Sequence, residues 1–251
     1  REDPVRMLRA IRFSEKLSFQ IERDAEQKIH ELSHLMSLVA PARLFEEVIK
    51  LFASGYGAAI FERIYQNGLF SAMFPSVAHT LEKAESDCHI DFIRASLVNT
   101  DKRIAQEKPI TPAFLYAALL WPEVLRLWQQ KLDEGLSDFP ALQQAGHIAI
   151  ESQLPHVMIP KRFILMMREI WEMQIRLEKN SSRKAAQLIT NPRFRAGYDF
   201  LLLREASKEI SPGLGAWWTR YQKENPPPPQ PARRKSGPRK RSNSSRPPKR
   251  S

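Results

Sequence analysis

From residue 4 to about residue 224, apolar side chains return every three or four positions, and no Val-, Ile- and Thr-rich run alternates with period two. That spacing predicts amphipathic helices and an all-α fold. The first helix covers residues 1–17, with Met7, Leu8, Ile11 and Leu17 on its apolar stripe. A second helical stretch, 22–39, ends before Pro41 because a residue ahead of proline is driven out of the α region. Residues 42–54 carry Leu44, Phe45, Val48, Ile49 and Phe52 on one face and stop at Gly55-Tyr56-Gly57; residues 58–67 follow and stop at Gly68, with a short turn to Pro75. In the middle, Thr111-Pro112 supplies a cap and a first helical residue for a buried helix to Leu120, which Pro122 is expected to break. Pro140 opens another helix toward Gln153. Phe163, Ile164, Met167, Ile170, Trp171 and Ile175 mark a long helix over 160–179, which Asn180-Ser181-Ser182 interrupts. Residues 183–189 and a stretch from Pro192 through Ala206 complete the pattern.

The periodicity ends at Pro226. Eight of the last twenty-six residues are proline, nine are Lys or Arg, and none is acidic. With no apolar face to bury, residues 226–251 are read as a disordered tail. Nine of the eleven net positive charges of the chain sit there, leaving two for the rest. Such a tail gains affinity for RNA by releasing counterions, with little preference for sequence; a solubilising role or a dock for acidic proteins is the competing reading. Cys88 is the single cysteine, so no internal disulfide can form and a reducing, cytoplasmic location is expected. The longest apolar run, 114–121, is too short to span a bilayer, which takes about twenty residues.

Candidate chemistry concentrates at the start. Asp3 suits an N-cap and Pro4 a first helical position, where the missing N–H costs nothing. Arg6, Arg9 and Arg12 then form a guanidinium row along one side of the helix, able to make planar, bidentate hydrogen bonds to phosphates or base edges. Taken alone, these features fit a solvated helix face equally well.

The whole run Glu2-Asp3-Pro4-Val5-Arg6-Met7-Leu8-Arg9-Ala10-Ile11-Arg12-Phe13 resembles the neck motif of the bacterial poly(A) polymerase and tRNA nucleotidyltransferase (CCA-adding) family. The segments from Pro41 through Phe74-Pro75, and from Pro192 through Arg204, resemble the same family's neck and body. The resemblance implies three regions: a neck over 1–75, a helical body over 76–225, and the basic tail. It implies that Asp3 and Arg6 present hydrogen-bonding groups to the base of an incoming nucleotide, with Arg9 and Arg12 supporting the nucleotide or the helix packing. ATP would be the substrate, RNA 3′ ends the acceptor, and RNA-decay proteins further partners. The family's catalytic head precedes the neck and holds divalent metal, Mg2+, on an Asp-x-Asp pair. No two aspartates here have that spacing, so the chain is expected to be the C-terminal part of a longer polynucleotide adenylyltransferase, inactive by itself and binding no metal or cofactor alone. A CCA-adding enzyme, or a non-catalytic RNA-binding protein retaining only neck and body, is the alternative. For RNA, the basic residues singled out are Lys161, Arg162, Arg168, Arg183, Lys184, Arg193 and Arg195 on the late helices, and Arg233, Arg234, Lys235, Arg239, Lys240 and Arg241 in the tail.

Two other patterns compete. His30-Glu31-Leu32-Ser33-His34 matches the zinc-hydrolase helix in which two histidines one turn apart bind metal, but no extended motif follows it and a third ligand could only be guessed from Glu46 or Glu47. Cys88-His89 is an isolated pair. Trp217 and Trp218 are read as core or docking residues rather than a base-stacking platform.

Overall fold

The computed structural model describes residues 3–179 and 182–226. Among them are thirteen α-helices and one 3-10 segment, with no strand, as the apolar spacing predicts. The order is α1 (Val5–Leu17), α2 (Arg23–Glu31), the 3-10 segment Ser33–Leu38, α3 (Pro41–Phe52), α4 (Gly57–Gln66), α5 (Leu69–Met73), α6 (Pro75–Lys83), α7 (Cys88–Ala105), α8 (Pro112–Asp133), α9 (Asp138–Gln153), α10 (Lys161–Glu178), α11 (Ser182–Ile189), α12 (Phe194–Ala206) and α13 (Leu214–Glu224).

Three local expectations are corrected. Residues 22–39 are not one helix: α2 ends at Glu31 and the chain tightens to 3-10. At three residues per turn each step rotates about 120° rather than 100°, so over four steps Met36 swings roughly 80° from its α-helical direction. That turns it fully into the core beside α5. The turn expected between Gly68 and Pro75 holds the short helix α5. Pro122 does not break α8, which continues to Asp133. An interior proline costs about 3 kcal/mol. Here Leu119, Leu120, Trp121 and Val124 on both sides of it are all buried, and each large apolar side chain contributes about 1.5–3 kcal/mol on burial. Packing outweighs the lost hydrogen bond.

Helix α8 is the axis of the fold. It is buried on nearly every face and packs against α6, α7, α9 and α10. One hydrophobic cluster runs from Val5 on α1 to Leu203 on α12. A second gathers Met173, Leu177, Phe194, Tyr198, Leu201 and Trp218 under α13. Buried polar tips join the early helices to the later ones. Tyr116 donates to the Phe45 carbonyl at 3.2 Å, and Gln153 donates to the Met73 carbonyl at 2.7 Å. Asp101 on α7 accepts the Gly57 and Ala58 N–H groups at 2.8 and 3.0 Å, capping α4 from outside. The approach is so close that a Cβ at Gly57 would lie 2.9 Å from the Phe52 carbonyl oxygen, which is why the Gly-Tyr-Gly stop requires its second glycine.

The deepest charge is Arg204, with 3% of its side chain exposed. It donates to Glu209 at 2.7 Å and to Glu178 at 2.6 Å and lies over the Trp121 ring, while the Trp121 N–H donates to Glu209 at 2.7 Å. This cluster locks the end of α12 to α8 and α10. Trp218 is completely buried and donates to the Leu177 carbonyl at 3.0 Å, so it is a core residue, as expected.

Candidate nucleic-acid interface

Helix α1 lies on α3 and α4 through Val5, Leu8 and Ile11, all fully buried. That packing turns Arg6 and Arg9 outward and leaves Arg12 half-buried. The Asp3 carboxylate accepts the Val5 N–H at 3.2 Å, the capping bond that the Asp-Pro start suggests, although the regular helix begins at Val5. Its other oxygen accepts from the Arg43 guanidinium on α3. This bond is the main reason the Asp3 carboxyl titrates below its ordinary range, and the Val5 N–H adds to the effect. Arg9 reaches to 3.6 Å from Glu47, a nearly buried carboxylate of α3 that Lys50 also meets at 2.9 Å. Arg12 lies over the Phe13 ring, 4.9 Å from its centroid.

The first turn of α1 thus presents a fixed carboxylate followed one turn later by an exposed guanidinium. A fixed acceptor and a planar donor can read an exocyclic amine and a ring nitrogen on one base edge. Arg43 was not singled out from the sequence. It stands forty positions from Asp3, and the only local hint was the Pro41-Ala42-Arg43 start of α3.

The later basic residues do not form one continuous row. Lys161 and Arg162 are exposed at the start of α10, and Arg162 lies over the Phe163 ring. Arg168 donates to the His147 ring at 3.2 Å. Lys184 is exposed on α11, the helix that Arg183 also belongs to. Arg193 bonds Glu169 at 2.5 Å, tying α12 to α10. Arg195 pairs with Asp199 at 2.9 Å and lies over Tyr198, yet 71% of its side chain is exposed. Arg233, Arg234, Lys235, Arg239, Lys240 and Arg241 lie outside the described residues.

The histidine pattern loses its geometry. Glu31 is the last residue of α2 and His34 belongs to the 3-10 segment, where its ring nitrogen meets the Glu31 carbonyl at 3.0 Å. The two histidines therefore do not share one α-helical face. Among the described residues no group of three or more His, Cys, Asp or Glu side chains is placed to hold a metal ion. Nor is any described helix long and apolar enough to cross a membrane. His89 is half-buried, its Nδ1 has no hydrogen-bond partner among the described residues, and desolvation pulls its pKa below the ordinary value against the opposing pull of Glu209.

Two family models match the chain. One, described as "Probable RNA and SrmB- binding site of polymerase A", covers residues 18–81; the other, "Polymerase A arginine-rich C-terminus", covers residues 134–251. Poly(A) polymerase I of Salmonella typhi is 35% identical over 230 residues, 90% of this chain and 49% of that protein. The chain belongs to the bacterial poly(A) polymerase family. Poly(A) polymerase I of Haemophilus influenzae is 36% identical over 89% of the chain and 50% of its own length. The chain therefore spans about half the length of the poly(A) polymerases it matches. The CCA-adding enzyme of Geobacillus kaustophilus is 33% identical over 86 residues, 34% of the chain. Neither poly(A) polymerase model reaches residues 1–17, so the Asp3–Arg6 turn falls outside both.

Proposed function

We propose that this chain is the nucleotide-reading and RNA-holding region of a cytoplasmic polymerase that adds AMP units from ATP to RNA 3′ ends, with metal-dependent chemistry supplied by residues outside this sequence. The observation that carries this reading is extent: similarity to proteins named poly(A) polymerase I runs along 90% of the chain, whereas similarity to a CCA-adding enzyme covers 34%. In this reading Asp3 accepts from the exocyclic amine of adenine. Arg43 and the Val5 N–H hold the carboxylate ionised and in place. Arg6 donates to the ring edge, and Arg9, braced by Glu47, keeps α1 seated on α3. The neck, 1–75, reads the nucleotide; the body, 76–225, and the tail carry the RNA, and the same basic residues offer a surface to proteins of RNA decay.

The test is nucleotide choice in the full-length enzyme. ATP is expected to be used in strong preference to CTP. Arg6→Ala is expected to erode that preference by about tenfold or more, the size of one lost charged hydrogen bond, while RNA affinity changes little. A full-length enzyme that uses CTP and ATP alternately would make it a CCA-adding enzyme, and an unchanged preference in Arg6→Ala would remove base reading from this residue.

A further inference from the structure

A cavity of about 230 Å³ opens where the end of α3, the second half of α7, the loop 106–111, the start of α8 and the start of α12 converge. Its walls are mainly apolar: Ile49, Ile110, Phe114, Pro192 and Ala196 among them. Its polar groups are few and specific. The Asn99 carboxamide, which can both donate and accept, has no hydrogen-bond partner among the described residues. The Asp199 carboxylate, 17% exposed, is held by Arg195 at 2.9 Å and by Arg103 at 4.0 Å. Arg103 in turn donates to the Pro109 carbonyl at 2.9 Å, which fixes the loop that forms one wall. Phe114 offers a ring face whose position is set by edge packing on the buried Phe200.

We propose that this pocket takes one unstacked base of a single-stranded RNA, with Arg103 and Arg195 on the phosphates that flank it. The proposal rests on the RNA-holding reading above and specifies where in the body the strand is gripped. A mainly apolar cavity with an aromatic wall and a few polar groups suits a flat heteroaromatic ring. Asn99 and Asp199 offer acceptors and a donor to its edge. Guanidinium forks match phosphate, and the mostly exposed Arg195 can reach one outside the cavity. None of the pocket's residues belongs to the Asp3–Arg6 turn, so this is a second base site, engaged by the acceptor strand and separate from the incoming nucleotide.

The test uses the whole 251-residue chain and two fluorescein-labelled oligoadenylates of equal length, one intact and one carrying abasic positions throughout. Binding is measured at a salt concentration high enough to screen non-specific attraction. The wild-type chain is expected to bind the intact strand about tenfold more tightly, in line with the value of base contacts in single-strand binding. Asn99→Ala, at a half-exposed position outside the core, is expected to abolish most of that ratio, whereas Arg195→Gln weakens both strands alike. Equal binding of the two strands by wild type, or a ratio untouched by Asn99→Ala, would overturn the pocket and leave RNA binding standing. No binding of either strand would overturn the RNA reading and the pocket with it. Displacement of the intact strand by millimolar AMP, with the abasic strand unaffected, would assign the pocket to a free mononucleotide and overturn the strand assignment.

Discussion

Arg43 on α3 closes on Asp3 at the head of α1, forty residues earlier in the chain. The pair does two things. It clamps the start of the neck helix to its neighbour, and it holds the carboxylate in its charged, accepting form. Two oxygens can accept about four hydrogen bonds, and Arg43 and Val5 take two, so Asp3 retains capacity for a base amine.

Arg43→Ala is expected to return the Asp3 carboxyl toward the ordinary 3.8, because its principal cause of depression is removed. A depressed carboxyl pKa stabilises the fold above the unfolded value and loses that contribution as pH falls through the native value. The stability that Arg43 supplies through Asp3 is therefore present above about pH 4, and the two chains are expected to converge as pH falls below the native value. Carboxyl titration by NMR is the measurement; an unshifted Asp3 would mean that the helix start, not Arg43, sets its charge. Because the pair is largely exposed, the loss at neutral pH is expected to be small in thermal unfolding.

Arg204→Met is expected to be severely destabilising. It removes the partner of Glu209, whose side chain is 5% exposed. Breaking one side of a buried pair typically costs about 3–5 kcal/mol, since the other charge is stranded. Urea unfolding would read this directly. Changing Glu209 to Gln in the same chain removes the stranded charge and should recover part of the loss; no recovery would place the cost in the packing of Arg204 over Trp121.

His89 sets a different pH window. Its native pKa is lowered from the ordinary 6.5 by desolvation. Between 6.5 and the native value, the unfolded chain binds a proton that the folded chain refuses, so stability falls as pH drops through that interval. His89→Gln is expected to flatten the dependence below pH 6.5 while leaving carboxylate effects below pH 5 in place. Unfolding midpoints between pH 5 and 7.5 provide the comparison, and an identical slope in both chains would exclude His89 as its source.

The tail prediction comes from charge alone. Removing residues 226–251 takes away nine positive charges. For single strands, log affinity falls with log salt by about 0.7 per neutralised phosphate. Full engagement of the tail would therefore steepen the salt slope by about six, and residues 1–225 are expected to lose most of the low-salt RNA affinity. Equal affinities for the two lengths would assign RNA binding to the helices.

How much of this was legible beforehand divides by distance along the chain. The helix stripes, the Asp-Pro start and the run of basic residues after Pro226 are local patterns, set by the 3.6-residue period, by backbone chemistry at a helix start and by composition. The family resemblance also rested on contiguous residues. Only the tertiary structure decided that α8 runs through Pro122, that the 22–39 stretch tightens at Ser33, and that the His30–His34 pattern does not share one helix. Burial by distant neighbours won there over local propensity. It also decided which charges meet. Arg43 reaches Asp3, Arg204 gathers Trp121 of α8, Glu178 of α10 and Glu209 of the loop after α12, and Asn99, Arg103, Phe114 and Asp199 line one cavity. Pairings of that kind depend on how helices pack, and hydrophobic spacing specifies which face of a helix is inward without specifying what it will face.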